Sequence, residues 1–328
     1  MAVLVTGGAG YIGSHMVLAL ADAGEDVVVL DALTTGFDWA VDHRAHLVQG
    51  LAGDIDLVLK LISEYAITEI VHFAGSIVVP ESVVDPLKYY ANNTATSRNL
   101  IEAAVRGGVK HFIFSSTAAV YGMTGLAPVI ETTPLQPMSP YGRSKLMTEW
   151  MLADVAAAHP LTFGVLRYFN VAGADPAGRS GQSTPEATHL IKVACQAALG
   201  QRDQIEIYGT DFETPDGTGV RDYIHVTDLI AVHMLLLKHL RAGGESQTLN
   251  CAYGRGYSVR EVVDAVKAVS GVDFKVNEAP RRAGDPASIT ATGEAVRHVL
   301  GWQPQHDDLT EMVRTAYDWE RRLLVRNR

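Results

Sequence analysis

The chain has 328 residues, 47% hydrophobic and 20% charged, enough to bury a sizeable core and too apolar for extended disorder. Its formal net charge of −10 disfavours wrapping a nucleic-acid backbone, which needs clustered Lys and Arg. No apolar run approaches the roughly 20 residues that span a bilayer, and Cys195 and Cys251 show neither CxxC spacing nor a disulfide framework. The expectation is a cytoplasmic protein with two reduced thiols, no metal site, no membrane span and no nucleic-acid partner.

In chain order, short apolar runs alternate with helical patterns. Val3-Leu4-Val5 precedes a helix over Ile12 to Ala23. Val27-Val28-Val29-Leu30 ends at Asp31. Glu69-Ile70-Val71-His72-Phe73 precedes a helical stretch that ends near Gly107-Gly108. Phe112-Ile113-Phe114 ends at Ser115-Ser116, and Leu161 to Leu166 forms a further buried strand. Continuous β-branched runs between helices predict a doubly wound parallel sheet of Rossmann type, covered on both faces. After Asn170 the pattern changes to Gly- and Pro-punctuated loops with helices near Leu190 to Leu199, Val226 to Leu240, Val259 to Val269 and Leu309 to Leu323. The expected division is a dinucleotide-binding domain over 1–170 and a smaller α/β substrate domain over 171–328, with segments that interleave.

Thr6-Gly7-Gly8-Ala9-Gly10-Tyr11-Ile12-Gly13 lies between the first strand and the first helix. Glycines at 7, 10 and 13 allow a tight turn, close approach to a pyrophosphate, and packing of helix on sheet. The helix N-terminus adds free N–H groups and a positive dipole end. The next strand ends in Asp31, a carboxylate suited to ribose hydroxyls and repulsive to a 2′-phosphate, which favours NAD over NADP. Asp54, in Gly53-Asp54-Ile55, can accept from the adenine amino group or serve as a helix N-cap.

Tyr141-Gly142-Arg143-Ser144-Lys145 carries the chemistry. Ser139-Pro140 is a capping hydroxyl followed by proline at the first helical turn. Tyr141 and Lys145 then share one helix face. A free phenol is a poor base at neutral pH, and a nearby ammonium together with a positive nicotinamide favours phenolate. Tyr141 can then take the proton of a sugar hydroxyl while hydride leaves the same carbon. Thr117, at the carboxyl end of the Phe112–Ser116 strand, places a hydroxyl where such sheets open their ligand crevice.

With these residues in place, the sequence resembles the UDP-glucose 4-epimerases of the extended short-chain dehydrogenase/reductase family. Further matching strings are His72-Phe73-Ala74-Gly75, Glu81-Ser82-Val83, Tyr121-Gly122, Tyr168-Phe169-Asn170, Ala279-Pro280-Arg281-Arg282 and, most specific, Asp216-Gly217-Thr218-Gly219-Val220-Arg221-Asp222-Tyr223-Ile224-His225. The resemblance implies Tyr141 as base and acid, Lys145 as its tuner and a nicotinamide-ribose ligand, and Thr117 as hydroxyl partner. It implies NAD contacts at Gly7, Gly10, Tyr11, Ile12, Gly13, Asp31, Asp54, Ile55, Phe73, Ala74, Asn92, Ser115, Tyr141, Lys145 and Tyr168. It implies UDP-sugar contacts at Thr117, Tyr141, Asn170, His189, Leu190, Glu206, Ile207, Tyr208, Arg221, Tyr223, Arg282 and Asp285. The two arginines suit a pyrophosphate, which guanidinium forks grip well. A homodimer through the helices around Tyr89 to Val105 and Lys145 to Ala158 is also implied.

Departures from the family pattern are Thr117 in place of a common serine, Ile77 where some relatives carry lysine, and His189 where asparagine is common. Ser288 aligns where some members carry a bulky tyrosine, and a small residue there leaves space for an N-acetyl group. UDP-hexose, UDP-N-acetylhexosamine and UDP-pentose epimerases share the quoted motifs. A sugar-nucleotide dehydratase is disfavoured, because Thr117-Ala118-Ala119 offers no acid and base beside the threonine. An NAD-sensing binding module has no need of the intact Tyr141 and Lys145.

Overall fold

The computed structural model describes residues 2–184, 186–282 and 285–326. The chain divides into two compact units. One comprises 1–122, 134–167 and 230–249; the other comprises 123–133, 168–229 and 250–328.

The first unit is built on a seven-stranded sheet, in the order β10-β6-β5-β4-β1-β2-β3. Its strands are β1 (Ala2–Thr6), β2 (Asp26–Asp31), β3 (His46–Gln49), β4 (Ile67–His72), β5 (His111–Thr117), β6 (Thr162–Tyr168) and, returning late in the chain, β10 (Gln247–Cys251). β1 pairs in parallel with β2 and β4, β2 with β3, and β4 with β5. Val3, Leu4 and Val5 in the centre of the sheet are wholly buried, as expected of a strand covered on both faces. Helices α1 (Tyr11–Asp22), α2 (Ile55–Tyr65), α5 (Thr96–Arg106) and α6 (Pro140–Ala158) supply the covering layers. Leu61, Ile62, Leu100, Ala104 and Leu152 from these helices pack with Leu4, Val28, Ile70, Phe112 and Val165 in one apolar core.

The stretch read from sequence as helical before Gly107 is in fact broken. It consists of α3 (Val79–Val84), α4 (Pro86–Tyr89), a π-helical turn over Tyr90–Ala95, and α5. Proline within the first turn of both α3 and α4 accounts for the start of α3 and the break between α3 and α4, since it cannot donate the N–H of a continuing helix.

The second unit contains a four-stranded group, in which β9 (Val220–His225) pairs antiparallel with β11 (Gly256–Ser258) and parallel with β13 (Ser288–Ile289) and β7 (Asn170–Ala172). A separate parallel pair joins β8 (Gln204–Tyr208) to β12 (Lys275–Ala279). Helices α7 (Leu190–Ala198), α9 (Val259–Ser270), α10 (Glu294–Leu300) and α11 (Leu309–Arg326) lie in this unit, and α8 (Val226–Arg241) begins in it. Helix α9 opens with a reciprocal cap between Ser258 and Glu261 and closes on Gly271 in the left-handed conformation, φ 71°.

Candidate active site

In the first unit, the glycine loop fits closely against β4. Gly7 adopts φ 72°, and a Cβ there would lie 2.6 Å from the Ala74 nitrogen. At Gly13 a Cβ would lie 2.1 Å from the Gly7 carbonyl oxygen. The loop leads into α1, whose N-cap is Gly10 with no side-chain cap and no acidic residue in the first turn. The first-turn N–H groups therefore have no capping side chain, an arrangement suited to an anion. Asp31 at the end of β2 is buried. Its two oxygens accept from the backbone N–H groups of Ala9 (2.9 Å) and Leu33 (2.8 Å), which fixes the carboxylate beside the loop. Each oxygen retains a lone pair for a ribose hydroxyl. These features fit an adenine dinucleotide: a cradle that side chains would fill, an uncapped helix start, and an anchored carboxylate.

Asp54 is the N-cap of α2, accepting from the Leu57 N–H at 3.1 Å, and Ile55 is its first helical residue. Phe73 and Ala74 follow β4, half-buried, with Phe73 N–H donating to the Thr6 carbonyl at 3.0 Å. Asn92 is exposed and donates to Ser76 Oγ at 3.1 Å.

Its neighbour Asn93 does more. Buried by the π turn, it accepts from the Ser76 N–H (2.8 Å) and donates to the Ser76 carbonyl (3.0 Å) and Ser144 Oγ (2.9 Å). One amide thus fastens the loop after β4 to the helix that carries Tyr141 and Lys145. Sequence reading missed this residue, because the π turn shifts which asparagine faces inward.

Helix α6 begins as expected: Ser139 accepts from the Gly142 N–H at 3.1 Å, and Pro140 is the first helical residue. Tyr141 is half-buried with the Thr117 hydroxyl near enough to influence its ionisation, and Thr117 Oγ1 accepts from the Ala119 N–H at 3.1 Å. The structure therefore brings Tyr141 and Thr117 together. Lys145 is 3% exposed. It donates to the Ser115 carbonyl at 2.9 Å and lies 4.8 Å from the centroid of the Phe114 ring.

The electrostatics differ from the sequence expectation of a lowered phenol. Burial pushes Tyr141 above the ordinary tyrosine value, and the Thr117 hydroxyl pulls it back. Burial is also the larger influence on Lys145, which falls to about 8 against the opposing charge of Glu149. Withdrawal from water disfavours both charged forms, so here desolvation outweighs the attraction between phenolate and ammonium.

In the second unit, the string from Asp216 to His225 forms a turn followed by β9. Asp216 accepts from the Thr218 N–H (2.8 Å) and hydroxyl (2.7 Å), and Gly217 sits at φ 79° against the Thr210 carbonyl. This delivers Arg221 to β9, half-buried, with Asp285 at a loose 3.9 Å. Asn170 and Tyr223 are partners across β7 and β9, and Asn170 Nδ2 donates to the Asp222 carbonyl at 3.3 Å. Arg282 is exposed, its guanidinium 3.7 Å from the centroid of the Tyr208 ring. Glu206, Ile207 and Tyr208 form the second half of β8. His189 is the N-cap of α7 and Leu190 its first residue. Tyr168 is buried at the end of β6.

Cys195 and Cys251 are free and buried, and burial pushes the Cys195 thiol up to about 12. Among the described residues no group of three His, Cys, Asp or Glu is arranged to hold a metal, and no helix is long and apolar enough to cross a membrane. His225 is a hydrogen-bonding residue, with Nδ1 accepting from the Thr227 N–H at 3.1 Å.

Comparison with known proteins agrees with this geometry. The family model described as "NAD dependent epimerase/dehydratase family" matches residues 3–252. A UDP-glucose 4-epimerase of Azospirillum brasilense is 56% identical over 321 residues, 98% of this chain and 92% of the relative. The solved UDP-glucose 4-epimerase of Brucella ovis in complex with NAD is 42% identical, with a TM-score of 0.94 and coverage of 97% and 98% of the two chains. The solved UDP-Glc/GlcNAc 4-epimerase of Campylobacter jejuni is 46% identical, with a TM-score of 0.86 and coverage of 98% and 99%. A Rossmann-type sheet, an anchored Asp31 and a Tyr141–Thr117 pair on a chain this similar throughout its length make it a member of the NAD dependent epimerase/dehydratase family, in the UDP-glucose 4-epimerase group.

Proposed function

We propose that the chain is an NAD-dependent UDP-glucose/UDP-galactose 4-epimerase. The observation that carries the reading is the clustering of Tyr141, Thr117 and the Ser115-bound Lys145 on the unit that also holds the glycine loop, in a chain 56% identical to a UDP-glucose 4-epimerase. Gly7, Gly10 and the first turn of α1, Tyr11 to Gly13, hold the pyrophosphate of NAD. Asp31 holds the adenosine ribose, and Asp54 and Ile55 lie at the adenine. Phe73, Ala74, Asn92, Ser115, Lys145 and Tyr168 serve the nicotinamide half. Bound NAD supplies a reversible acceptor for the two electrons of C4, taken from one face of the sugar and returned to the other. Tyr141 takes the proton of the 4-hydroxyl and gives it back, and Thr117 hydrogen-bonds the same oxygen. Lys145, held by the Ser115 carbonyl, donates to ribose hydroxyls. Arg221 and Arg282 grip the UDP pyrophosphate; Arg221 Nη1 donates to the Val220 carbonyl at 2.9 Å, and the loose Asp285 partner leaves Nη2 for the phosphates. Glu206 to Tyr208 face uracil, and Asn170, His189, Leu190 and Tyr223 complete the nucleotide-sugar contacts.

Net redox change is zero, so purified protein incubated with UDP-galactose and no added NAD is expected to yield UDP-glucose. No product after NAD is supplied would overturn the hexose reading. A second substrate class is favoured by the small Ser288 and by the 46% identical neighbour named as a UDP-Glc/GlcNAc 4-epimerase. UDP-N-acetylglucosamine is therefore expected to turn over as well, and its inertness at high enzyme concentration would remove it.

The enzyme is proposed to be a cytoplasmic homodimer. The α5 and α6 helices share an open recess lined by Ile101, Val105, Met151 and Val155, with Arg98 and Asp154 at its polar margin. Light scattering is expected to give twice the chain mass of 35.3 kDa; a mass near 35.3 kDa itself would exclude the dimer.

A further inference from the structure

Beneath the catalytic helix lies a buried ion pair that the chemistry above does not use. Glu149 on α6 is 6% exposed and Arg167 on β6 is 4% exposed. The guanidinium donates to both carboxylate oxygens, through Nη2 at 2.6 Å and Nε at 3.1 and 3.2 Å. The Ser116 hydroxyl also donates to Glu149, and Arg167 Nη1 donates to the Tyr121 hydroxyl at 3.1 Å. Ser116 immediately precedes Thr117, and Tyr121 closes the short 3-10 turn that Thr117 caps. Both flanks of the Thr117 turn therefore end on one ion pair. Glu149 also stands one helical turn after Lys145, which itself stands one turn after Tyr141, so all three lie along one face of α6.

A buried ion pair is weak evidence for stability, because packed apolar residues of similar volume often hold a core as well. Its placement is the informative feature. We propose that Glu149, locked by Arg167, is a positioning residue for the 4-epimerase reaction: it fixes both flanks of the Thr117 turn and presents a negative charge to Lys145 from within the catalytic helix. This rests on the epimerase reading above.

The other groups packed around Lys145 leave Glu149 as its source of negative charge. β4 contributes His72, which burial drives down to about 3 and so keeps neutral. β5 contributes the Ser115 carbonyl and the Phe114 ring. The π turn contributes the neutral Asn93 amide near Gly75, and α6 contributes Tyr141, whose phenolate burial disfavours. The sign follows. Burial lowers Lys145 and Glu149 raises it, so without the carboxylate Lys145 loses its proton at a lower pH.

The test uses the NAD-loaded full chain and compares wild type with Glu149→Gln. Three quantities are read against pH: kcat with UDP-galactose, KM, and NAD retained after desalting. The alkaline limbs of kcat and of NAD retention are expected to move down by about one pH unit, with KM little changed. Glu149→Asp keeps the charge and is expected to keep the wild-type limb. Should Glu149→Gln fail to fold, the double variant Glu149→Gln/Arg167→Met removes both charges, and its limb is expected to move down as well. Equal loss of activity at every pH, or limbs that coincide with wild type, would overturn the proposal. Inactivity of the wild-type chain itself would instead remove the epimerase reading.

Discussion

Tyr141→Phe is expected to lower kcat for UDP-galactose by roughly 10²- to 10⁴-fold, the range contributed by a positioned general acid–base group. The substitution removes one oxygen and keeps the ring. Its edge-to-face packing against Tyr89, with ring centroids 6.4 Å apart, is preserved. Thr117 retains the Ala119 N–H, and Lys145 retains the Ser115 carbonyl. The fold, the glycine loop and the arginines of the second unit are untouched, so bound NAD and UDP affinity are expected to stay at wild-type levels. Initial rates, NAD absorbance after desalting and UDP titration measure the three quantities. A variant that still turns over at near wild-type rate would show that another group moves the proton. A variant that loses NAD as well would show that Tyr141 also holds the cofactor.

Gly13→Ala is expected to weaken NAD binding on the order of 100-fold, equivalent to about 3 kcal/mol, and to yield protein that retains no NAD after desalting. The cause is space. The added carbon would lie 2.1 Å from the Gly7 carbonyl oxygen, 2.8 Å from its carbon and 2.9 Å from the Gly8 Cα. All three are backbone atoms, so no rotamer change relieves the clash and the loop itself must move away from the helix start. Gly24→Ala is the control. Gly24 has φ 77° with nothing within 4 Å of the added carbon, so it incurs only the backbone cost of a left-handed alanine, about 1 kcal/mol. Normal NAD retention in Gly13→Ala would mean that the loop can relax, and that this packing is not what forms the cradle.

The parts legible in the sequence were those that local spacing encodes. Gly7, Gly10 and Gly13 between strand and helix, the capped start at Ser139-Pro140, and the pairing of Tyr141 with Lys145 all depend on neighbours within a few residues. Glu149 was within reach of the same logic, since it continues the face of Tyr141 and Lys145 by one more turn. Its partner was not. Arg167 comes from the strand after α6, and nothing in the sequence spacing says that these two side chains meet. Asn93 was hidden for another reason. A reading that assumes 3.6 residues per turn cannot anticipate a π turn, and the resemblance pointed to Asn92 alone, so the buried hub beside it went unnamed. For Tyr141, sequence reveals a nearby ammonium but not the depth of burial, and before the positive nicotinamide is added burial sets the direction. The start of α3 and the break between α3 and α4 are written in Pro80 and Pro86.

The late return of β10 to the sheet of the first unit also bears on how the chain is made. β6 is complete at Tyr168, but β10, its neighbour at the edge, begins about 80 residues later. At typical ribosomal speeds this separates the two strands by about 4–16 s. For that interval the nascent chain carries a nucleotide-binding half that still lacks residues 230–249 and whose outermost strand has an open row of backbone donors and acceptors, the feature that invites strand addition from another chain. Truncated products ending anywhere between the two strands would keep that edge permanently, which makes them natural clients for chaperones and poor candidates for expression as an isolated NAD-binding fragment.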